Sequence, residues 1–341
     1  MDALNINDSI NITRQLNIYR MWNLFVLRWS YVISKYSKRD FHKGKPFSLS
    51  IEPTTACNLS CPECPSGLKQ FTRPTGKLDL SLHKKMLAQV VRSVFYINYY
   101  FQGEPFLHPQ FLELIKEAKK NKIYTATSTN AHFIDSKKAE EIVLSGLDRL
   151  IISIDGMTQK TYENYRIDGK LKKVIEGTER LIEAKKKLNS KTPHLIFQFL
   201  VVKPNEHEVP QIFELGKTMG IDEVRIKSAQ LYDYQNGNSL MPENEKYSRY
   251  KLQANGTYKL KYRTGNHCWR MWSSSVLTFD GKVVPCCFDK DAQHILGSVE
   301  DTDFNEIWKN QRYSSFRTAV LTQRNQIEIC KNCSEGAKVW L

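Results

Sequence analysis

The feature that most constrains this chain is the arrangement of its eight cysteines. Three lie within residues 57–64, three lie within residues 268–287, and the last two stand at positions 330 and 333. In a chain of 341 residues without an export signal, thiols grouped in this way bind metal more often than they form disulfides. The cysteines therefore predict two metal centres.

No export signal or membrane span is evident near the N-terminus. Asp2 and Asp8 come first, and the apolar stretch at 21–33 contains Arg28 and lacks a small-residue cleavage site. No run of about 18 uncharged apolar residues occurs in the sequence. We expect a cytoplasmic protein. Any association with a membrane would be peripheral and would be made by residues 9–38.

Residues 9–38 are predicted to form a helical arm. Apolar and aromatic residues recur at alternating steps of four and three and mark one helix face, namely Ile18, Trp22, Phe25, Trp29, Val32 and Tyr36. Lys35, Lys38 and Arg39 follow at the end of the arm. The face could lie on a membrane surface or pack on the main domain, and packing is the interpretation we prefer.

Composition is ordinary apart from its charge. Hydrophobic residues make up 41% and charged residues 25% of the chain, so a substantial core can be buried. The formal net charge of +14 favours acidic partners. The basic residues are spread over predicted helices such as 116–122 and 184–191, where solvated faces are the simplest interpretation. Charge alone does not select a partner, and we expect no nucleic-acid partner.

From residue 47 onward, strand and helix patterns alternate. The predicted strands are 47–54, 94–101, 122–128, 148–154, 194–202 and 221–228. The predicted helices are 81–92, 109–121, 135–146, 171–189 and 208–220. Six strands separated by helices favour a parallel sheet of βα units. This pattern suits either a partial barrel or a doubly wound sheet and does not separate the two.

The first cysteine group, Cys57, Cys61 and Cys64, directly follows the first predicted strand. Three thiolates on one loop can converge on a metal centre and leave a fourth coordination position without a local protein ligand. Such an open position allows a substrate to bind the metal. From the three cysteines alone, a zinc site completed by a distant Cys or His is the alternative.

The CxxxCxxC spacing, together with motifs that end the next strands, resembles the radical S-adenosylmethionine (SAM) superfamily. The matching residues are Gln102, Gly103, Glu104 and Pro105 after the second strand, Ser128 and Asn130 after the third, Ser153 and Asp155 after the fourth, and Arg166 beyond them. Strand ends of this kind are where α/β sheets and barrels place active sites. The resemblance implies an α/β fold built as a partial (β/α)6 barrel similar to a TIM barrel.

The resemblance also implies cofactors and roles. Cys57, Cys61 and Cys64 would hold a 4Fe–4S cluster whose fourth iron binds SAM, and electron transfer to SAM would give a 5′-deoxyadenosyl radical. The segment 102–105 would receive the SAM amino group, and Arg166 the SAM carboxylate. Residues of the third and fourth strand ends would lie near the rest of SAM. An acidic electron donor such as a flavodoxin or ferredoxin would fit the basic chain.

Two positions depart from the superfamily pattern. Ala131 stands where a glycine is usual, and Glu63 stands before Cys64 where an aromatic or apolar residue often packs near the adenine. The second departure puts the local adenine contact in doubt.

The second cysteine group lies in a predicted C-terminal module. Residues 231–262 are predicted to be a linker between the radical SAM core at 47–230 and this module at 263–341, while 1–46 form the arm. A hairpin at 276–284, turning at Asp280-Gly281, leads to a short helix around 303–317.

This module resembles the auxiliary-cluster modules called SPASM and twitch. Its five cysteines are too few for two clusters, so we expect one auxiliary 4Fe–4S cluster. The ligands implied are Cys268, Cys286, Cys330 and Cys333. Cys287 is then left over, although it could replace Cys286. A structural Cys₄ zinc knuckle is the alternative.

The substrate is not readable from the sequence, and no residue can be assigned as catalytic acid, base or radical relay. The spacing of the second cysteine group is similar to that of a radical SAM dehydrogenase of an aminocyclitol alcohol. We therefore favour oxidation or epimerisation of a small alcohol or sugar-like molecule. A peptide or protein maturase is the alternative, and a non-catalytic iron–sulfur or membrane-surface scaffold is a third hypothesis.

Overall fold

The computed structural model describes residues 6–262 and 264–335. The strands are β1 Ser48–Ile51, β2 Tyr96–Asn98, β3 Tyr124–Thr129, β4 Arg149–Ser153, β5 His194–Val201, β6 Glu223–Ser228, β7 Tyr250–Leu252, β8 Tyr258–Leu260, β9 Ser274–Leu277, β10 Lys282–Val284 and β11 Gly297–Ser298. The helices are α1 Ile6–Thr13, α2 Ile18–Ser37, α3 Pro65–Leu68, α4 Leu80–Val90, α5 Phe111–Lys120, α6 Ser136–Leu144, α7 Gln159–Glu163, α8 Leu171–Lys187, α9 Val209–Met219, α10 Trp269–Ser273, α11 Phe304–Ile307, α12 Gln311–Gln323 and α13 Glu328–Lys331.

The six strands and five helices predicted from the alternating pattern are confirmed, with ends shifted by a few residues. The strand β5 explains why the pattern was readable. Its sequence HLIFQFLV is buried at almost every position. Near-continuous apolar runs are typical of parallel strands that are covered on both faces.

The described chain divides into two compact units. The first comprises residues 6–56, 71–127 and 264–335, and the second comprises residues 57–70 and 128–262.

In the first unit the strands follow the order β11-β10-β9-β1-β2-β3. β1 is parallel to β2 on one side, with Ser48 opposite Tyr96, and parallel to β9 on the other, with Ser48 opposite Ser274. β9 and β10 form the predicted hairpin, and Gly281 takes a positive φ of 73° at its turn. The C-terminal hairpin thus extends the same sheet as the first strand of the chain.

In the second unit β4, β5 and β6 are parallel, with Leu150 opposite Leu195 and Phe197 opposite Val224. Residues 231–262 contain the antiparallel pair β7 and β8. Leu231, Met241 and Tyr250 from this stretch are buried. Whether the stretch serves as a linker, and where the domains end, stay predictions.

The arm packs with the face opposite to the one expected. The aromatic stripe is exposed, with Trp22 at 63% and Phe25 at 60%, so the preferred prediction that it packs on the main domain is wrong. The buried face carries Arg20 instead, whose guanidinium donates to the carbonyl oxygens of Val91 at 2.8 Å and Lys122 at 2.7 Å. These carbonyls lie just after α4 and α5, where helices leave acceptors unsatisfied. Both terminal nitrogens of the guanidinium thus have backbone partners, although the buried Nε has none among the described residues. The apolar periodicity does not reveal this buried arginine.

No helix within the described residues has the length and apolar character needed to cross a membrane.

Candidate cofactor and metal centres

The first cysteine loop packs on a hydrophobic cluster of the second unit. Leu59 and Cys61 are buried there, and Cys57 and Cys64 pack against the cluster. The other buried members follow later strands and helices, and they are Tyr165, Val202, Ala229, Leu231, Met241 and Tyr250. The loop that carries the thiols is therefore supported by residues far apart in the sequence.

A short helix holds the end of this loop in place. α3 begins with Pro65 directly after Cys64, and the Leu68 N–H donates to the Cys64 carbonyl at 2.9 Å. A Cβ on Gly67 would lie 2.5 Å from the Cys61 backbone nitrogen and 2.6 Å from its oxygen. Only a glycine at this position lets α3 lie directly against the second cysteine.

Arg166 lies between a carboxylate and a thiol. Its Nε is 2.5 Å from Asp155 Oδ2, and its Nη1 is 3.8 Å from Cys61 Sγ. Burial acts to lower the pKa of Arg166, but Asp155 and the Cys61 thiol outweigh it and raise that pKa well above its usual value. Burial raises the pKa of Cys61, while Arg166 opposes this rise. Arg166 is thus a fixed cation beside the second cysteine, and its contact with SAM stays a prediction.

Asp155 is itself anchored by the neighbouring strand. Its Oδ1 accepts from the Leu200 N–H at 2.6 Å, and its backbone oxygen accepts from Asn205 Nδ2 at 2.9 Å. The carboxylate side chain is fully buried. The predicted strand-end aspartate therefore orients Arg166 through a fixed hydrogen-bond network.

The ends of β3 and β4 bring the other predicted polar residues of this unit together. Asn130 Nδ2 donates to Asn58 Oδ1 in the cysteine loop at 2.8 Å, and Ser128 Oγ lies 3.5 Å from Ser153 Oγ. Ala131, where the resembled motif has glycine, has a φ of 60°. The turn therefore keeps the left-handed backbone for which glycine is usual, at the expense of some strain.

Glu63 has a structural role that sequence reasoning missed. Its Oε2 accepts from the Tyr232 N–H at 2.7 Å, and its Oε1 accepts from Asn238 Nδ2 at 3.3 Å. The carboxylate thus ties the cysteine loop to the segment after β6. No local motif in the sequence connects positions so far apart.

The segment 102–105 belongs to the first unit. Gly103 has a φ of +75°, and a Cβ there would lie 2.2 Å from the Thr54 carbonyl oxygen. The Glu104 N–H donates to the Ala56 oxygen at 2.8 Å, and Glu104 Oε1 accepts from the Phe106 N–H at 3.2 Å. Gln102, Glu104 and Pro105 are buried. The glycine is needed because the backbone directly before Cys57 passes against it.

The second cysteine group lies within the first unit. Cys268 precedes α10, Cys286 follows β10, and Cys330 and Cys333 lie in and just after α13. Burial raises the pKa of Cys268 to about 12 and that of Cys330 to about 11. Burial also raises the pKa of Cys286, and the nearby thiols Cys287, Cys268 and Cys333 raise it further. Cys286 is therefore close enough to Cys268 and Cys333 for their charges to affect its pKa.

Cys287 has different surroundings. It packs against the cluster that contains Phe101 and Val284. It is the leading cause of the raised pKa of Arg270, and it adds to the effect of burial in raising that of Tyr100 to about 12. The two adjacent cysteines thus differ in what surrounds them.

Two arginines surround the second cysteine group, and no motif predicted them. Arg324 Nη2 donates to Cys333 Sγ at 3.4 Å, and its Nη1 donates to the His267 oxygen at 2.6 Å. Arg270 pairs with Glu335 at 3.0 Å. Hydrogen bonds and positive charge beside sulfur ligands are what tune an iron–sulfur cluster.

The donor sets fit iron–sulfur clusters. All eight cysteines lie in the described part of the chain, and none forms a disulfide there. Within residues 6–262 and 264–335, no three His, Cys, Asp or Glu side chains are gathered closely enough to hold one metal ion. A cubane cluster asks for something different, because each cysteine binds its own iron. Burial raises the pKa of Cys61, Cys268 and Cys330, and iron of a bound cluster would replace the proton on each of these thiols.

Comparison with known proteins matches both parts of the chain. The Radical SAM superfamily model matches residues 51–215, and the SPASM model, an iron–sulfur cluster-binding domain, matches residues 268–334. The radical SAM domain binds a 4Fe–4S cluster and SAM, and the SPASM domain binds auxiliary iron–sulfur clusters.

Relatives match over most of their length. The PqqA peptide cyclase of Gluconobacter oxydans is 24% identical, covering 86% of this chain and 84% of that protein. The tungsten-containing aldehyde ferredoxin oxidoreductase cofactor-modifying protein of Pyrococcus furiosus is 25% identical, covering 84% of this chain and 86% of that protein.

A solved structure supports the fold class. Streptococcus suis SuiB bound to the precursor peptide SuiA covers 90% of this chain and 74% of its own, with a TM-score of 0.61 and 14% identity. The likeness confirms the predicted α/β class, a mostly parallel sheet with helices that is consistent with a partial barrel. The chain is a radical SAM enzyme with a C-terminal SPASM-type iron–sulfur domain.

Proposed function

We propose that this radical SAM enzyme modifies a side chain of a peptide or protein. The observation that carries the proposal is the match to a PqqA peptide cyclase across 86% of this chain and 84% of that protein. This reverses the sequence-based preference for a small alcohol or sugar-like substrate, which drew on the spacing of the second cysteine group. Cysteine spacing constrains how the auxiliary cluster is bound, but it says little about which substrate reaches the 5′-deoxyadenosyl radical.

Cys57, Cys61 and Cys64 are the proposed ligands of the SAM-binding cluster. When bound, this cluster and SAM supply a 5′-deoxyadenosyl radical that removes a hydrogen atom from the substrate. The chain's own part is to hold the thiols on a loop packed against a hydrophobic cluster and to keep a cation beside Cys61. That cation, Arg166, stabilises the thiolate, since it opposes the rise in the Cys61 pKa that burial causes.

The proposed SAM contacts are the strand-end residues. Glu104 and the backbone around Gly103 offer a carboxylate and carbonyl oxygens to an amino group. The remaining proposed contacts are Gln102, Pro105, Ser128, Asn130, Ser153, Asp155 and Arg166.

Cys268, Cys286, Cys330 and Cys333 are proposed to bind one auxiliary cluster. Cys286 is favoured over Cys287 because Cys287 packs instead against the cluster that contains Phe101 and Val284. Anaerobic reconstitution followed by iron counting tests this proposal, since two cubane clusters require about eight irons per chain. Alanine at Cys286 should reduce the count to about four, and alanine at Cys287 should leave it at about eight. The opposite result would assign Cys287 as the ligand in place of Cys286.

The electron donor is proposed to be an acidic flavodoxin or ferredoxin. The chain carries a formal charge of +14, and opposite charge speeds association at low salt. Reduction of the reconstituted enzyme by such a donor should slow steeply as salt increases. A rate independent of salt would remove the electrostatic basis of this proposal.

The substrate class is tested by coupling to SAM cleavage. Extract of the organism that encodes the chain is divided by size into a peptide fraction and a small-molecule fraction. Each fraction is given to the reduced enzyme while 5′-deoxyadenosine is measured. We expect the peptide fraction to stimulate cleavage and protease treatment of it to abolish the effect. Stimulation by the protease-resistant small-molecule fraction alone would favour the alcohol or sugar-like substrate instead.

A further inference from the structure

The outward face of α2 is an exposed apolar surface that the proposed chemistry does not use. Its exposed side chains are Ile18, Met21, Trp22, Phe25, Trp29, Val32 and Tyr36. Half or more of the surface of both tryptophans and of Phe25 is in contact with solvent. Contiguous apolar patches of this kind mark interaction surfaces.

The helix is held so that only this face is available. On the opposite face Leu27 is fully buried, and the Tyr31 hydroxyl lies 2.9 Å from His267 Nδ1. Arg20 is fixed by backbone carbonyls near α4 and α5. The helix therefore lies along the surface of the first unit, with its aromatic stripe facing the solvent.

The charge around the stripe is predominantly positive. Residues 9–46 contain eight Lys or Arg residues and a single acidic residue, Asp40. Of the eight, only Arg20 is buried. An aromatic face rimmed by Lys and Arg is the composition of helices that lie in the interface of an anionic membrane.

A basic pocket adjoins the stripe. It has a volume of about 540 Å³, and its lining includes the aromatic residues Tyr19 and Trp22 and the basic residues Lys43, Lys45 and Lys309. Within the described part of the chain, none of these three ammonium groups has a carboxylate partner. Three cations with no internal counter-charge lie next to an exposed tryptophan. This arrangement matches a phospholipid, whose phosphate would bind the cations while its acyl chains lie against the aromatic side chains.

The loop that carries two of these lysines is fixed. Asn23 on α2 accepts from the Lys45 N–H at 2.8 Å and donates to the Lys45 carbonyl at 2.7 Å. Gly44 has a φ of +91°, and a Cβ there would lie 3.0 Å from Leu27. The pocket is therefore held in place beside the stripe by the folded backbone.

We propose that α2 and this pocket form a docking surface for an anionic lipid bilayer. The stripe would enter the headgroup and acyl boundary, and the three lysines would bind lipid phosphates. A second copy of the chain fits the surface less well. A two-fold contact through this face would set the same uncompensated cations against each other.

The test is flotation of the purified full chain with vesicles of phosphatidylcholine alone or mixed with phosphatidylglycerol. We expect binding to the anionic vesicles, weak binding to the neutral ones, and loss of binding in high salt. Each basic residue near an anionic surface contributes about fivefold to binding, so Lys43→Gln with Lys309→Gln should weaken it about thirtyfold. Trp22→Ser with Phe25→Ser should weaken it at least about tenfold.

Matched variants separate this surface from net charge and general hydrophobicity. Lys251 and Lys259 are exposed cross-strand neighbours elsewhere, and Lys251→Gln with Lys259→Gln makes the same change in net charge. Phe213→Ser removes an aromatic side chain of similar exposure, 46%. Both controls should bind like the parent chain.

Three results would overturn the proposal. The first is absence of binding to anionic vesicles. The second is equal weakening by the control variants. The third is a lipid-free dimer, or a complex with an acidic protein, that the Trp22→Ser and Phe25→Ser changes dissociate while vesicle binding persists. That result would assign the face to a protein partner.

Discussion

Replacing Asp155 by Asn should cost the folded protein several kcal/mol, because it leaves the Arg166 charge buried without its partner. The Asp155 side chain is fully buried and that of Arg166 is 17% exposed. Breaking a buried ion pair by removing one partner typically costs about 3–5 kcal/mol. The amide oxygen of Asn can still accept from the Leu200 N–H, but its NH₂ group would face the Arg166 Nε donor. We therefore expect a loss of at least about 3 kcal/mol in the free energy of unfolding.

The assay is an anaerobic urea titration followed by tryptophan fluorescence, with each variant compared through its midpoint and slope. The exposed pair Lys203–Glu243, with N···O at 2.7 Å, provides the control. Glu243→Gln should leave the urea midpoint nearly unchanged, because exposed ion pairs contribute little to stability.

Adding Arg166→Gln to Asp155→Asn should restore at least about 1 kcal/mol, because the uncompensated cation is then gone. If Asp155→Asn were as mild as the exposed control, the Asp155 carboxylate would not be what holds Arg166 in place.

Three further predictions concern single residues in the first unit. Gly103→Ala should destabilise the fold by more than Gly220→Ala, which should cost about 1 kcal/mol. Both glycines have a φ of 75°, but only at Gly103 would the added Cβ lie 2.2 Å from a carbonyl oxygen. Equal urea midpoints for the two variants would contradict this. Arg324→Gln should lower the reduction potential of the auxiliary cluster, because it removes a positively charged N–H donor to a ligand sulfur. Redox titration followed by electron paramagnetic resonance measures this potential, and Arg324→Lys should lower it less. An unchanged potential in both variants would show that Arg324 does not influence the cluster. Burial lowers the pKa of His42 to about 3, so the folded ring stays neutral while the unfolded chain takes up a proton below pH 6.5. Stability should thus fall by about 1 kcal/mol from pH 7.5 to 5.5, and His42→Gln should remove this part of the pH dependence; parallel pH profiles would refute it.

Much of the fold was predictable because burial on both faces makes the strands apolar. The run at 194–201 and the turn at Asp280-Gly281 are local signals, and both are confirmed. The pairing of β9 with β1 was not predictable, since it joins segments more than 200 residues apart without any shared pattern.

The helical arm shows where periodicity fails. A stripe of apolar residues identifies a helix face but not the side on which the protein lies. In α2 the buried side carries Arg20, Asn23 and Ser30 beside Leu27, and these three polar side chains donate to backbone carbonyls. Only tertiary structure supplies those partners.

The site residues divide in the same way. The cysteine spacing and the strand-end motifs are local, and they were sufficient to identify the superfamily. Glu63, Arg324 and Arg270 act through contacts with residues distant in sequence, so no motif marked them.

The most direct test of the central claim is the production of 5′-deoxyadenosine by the reconstituted and reduced chain. The parent protein should convert SAM to 5′-deoxyadenosine and methionine. Cys61→Ala should abolish this activity, while Cys287→Ala should retain it. If the parent chain held its full iron complement and still released no 5′-deoxyadenosine, or if Cys61→Ala remained active, the assignment of Cys57, Cys61 and Cys64 as the radical-initiating centre would be wrong.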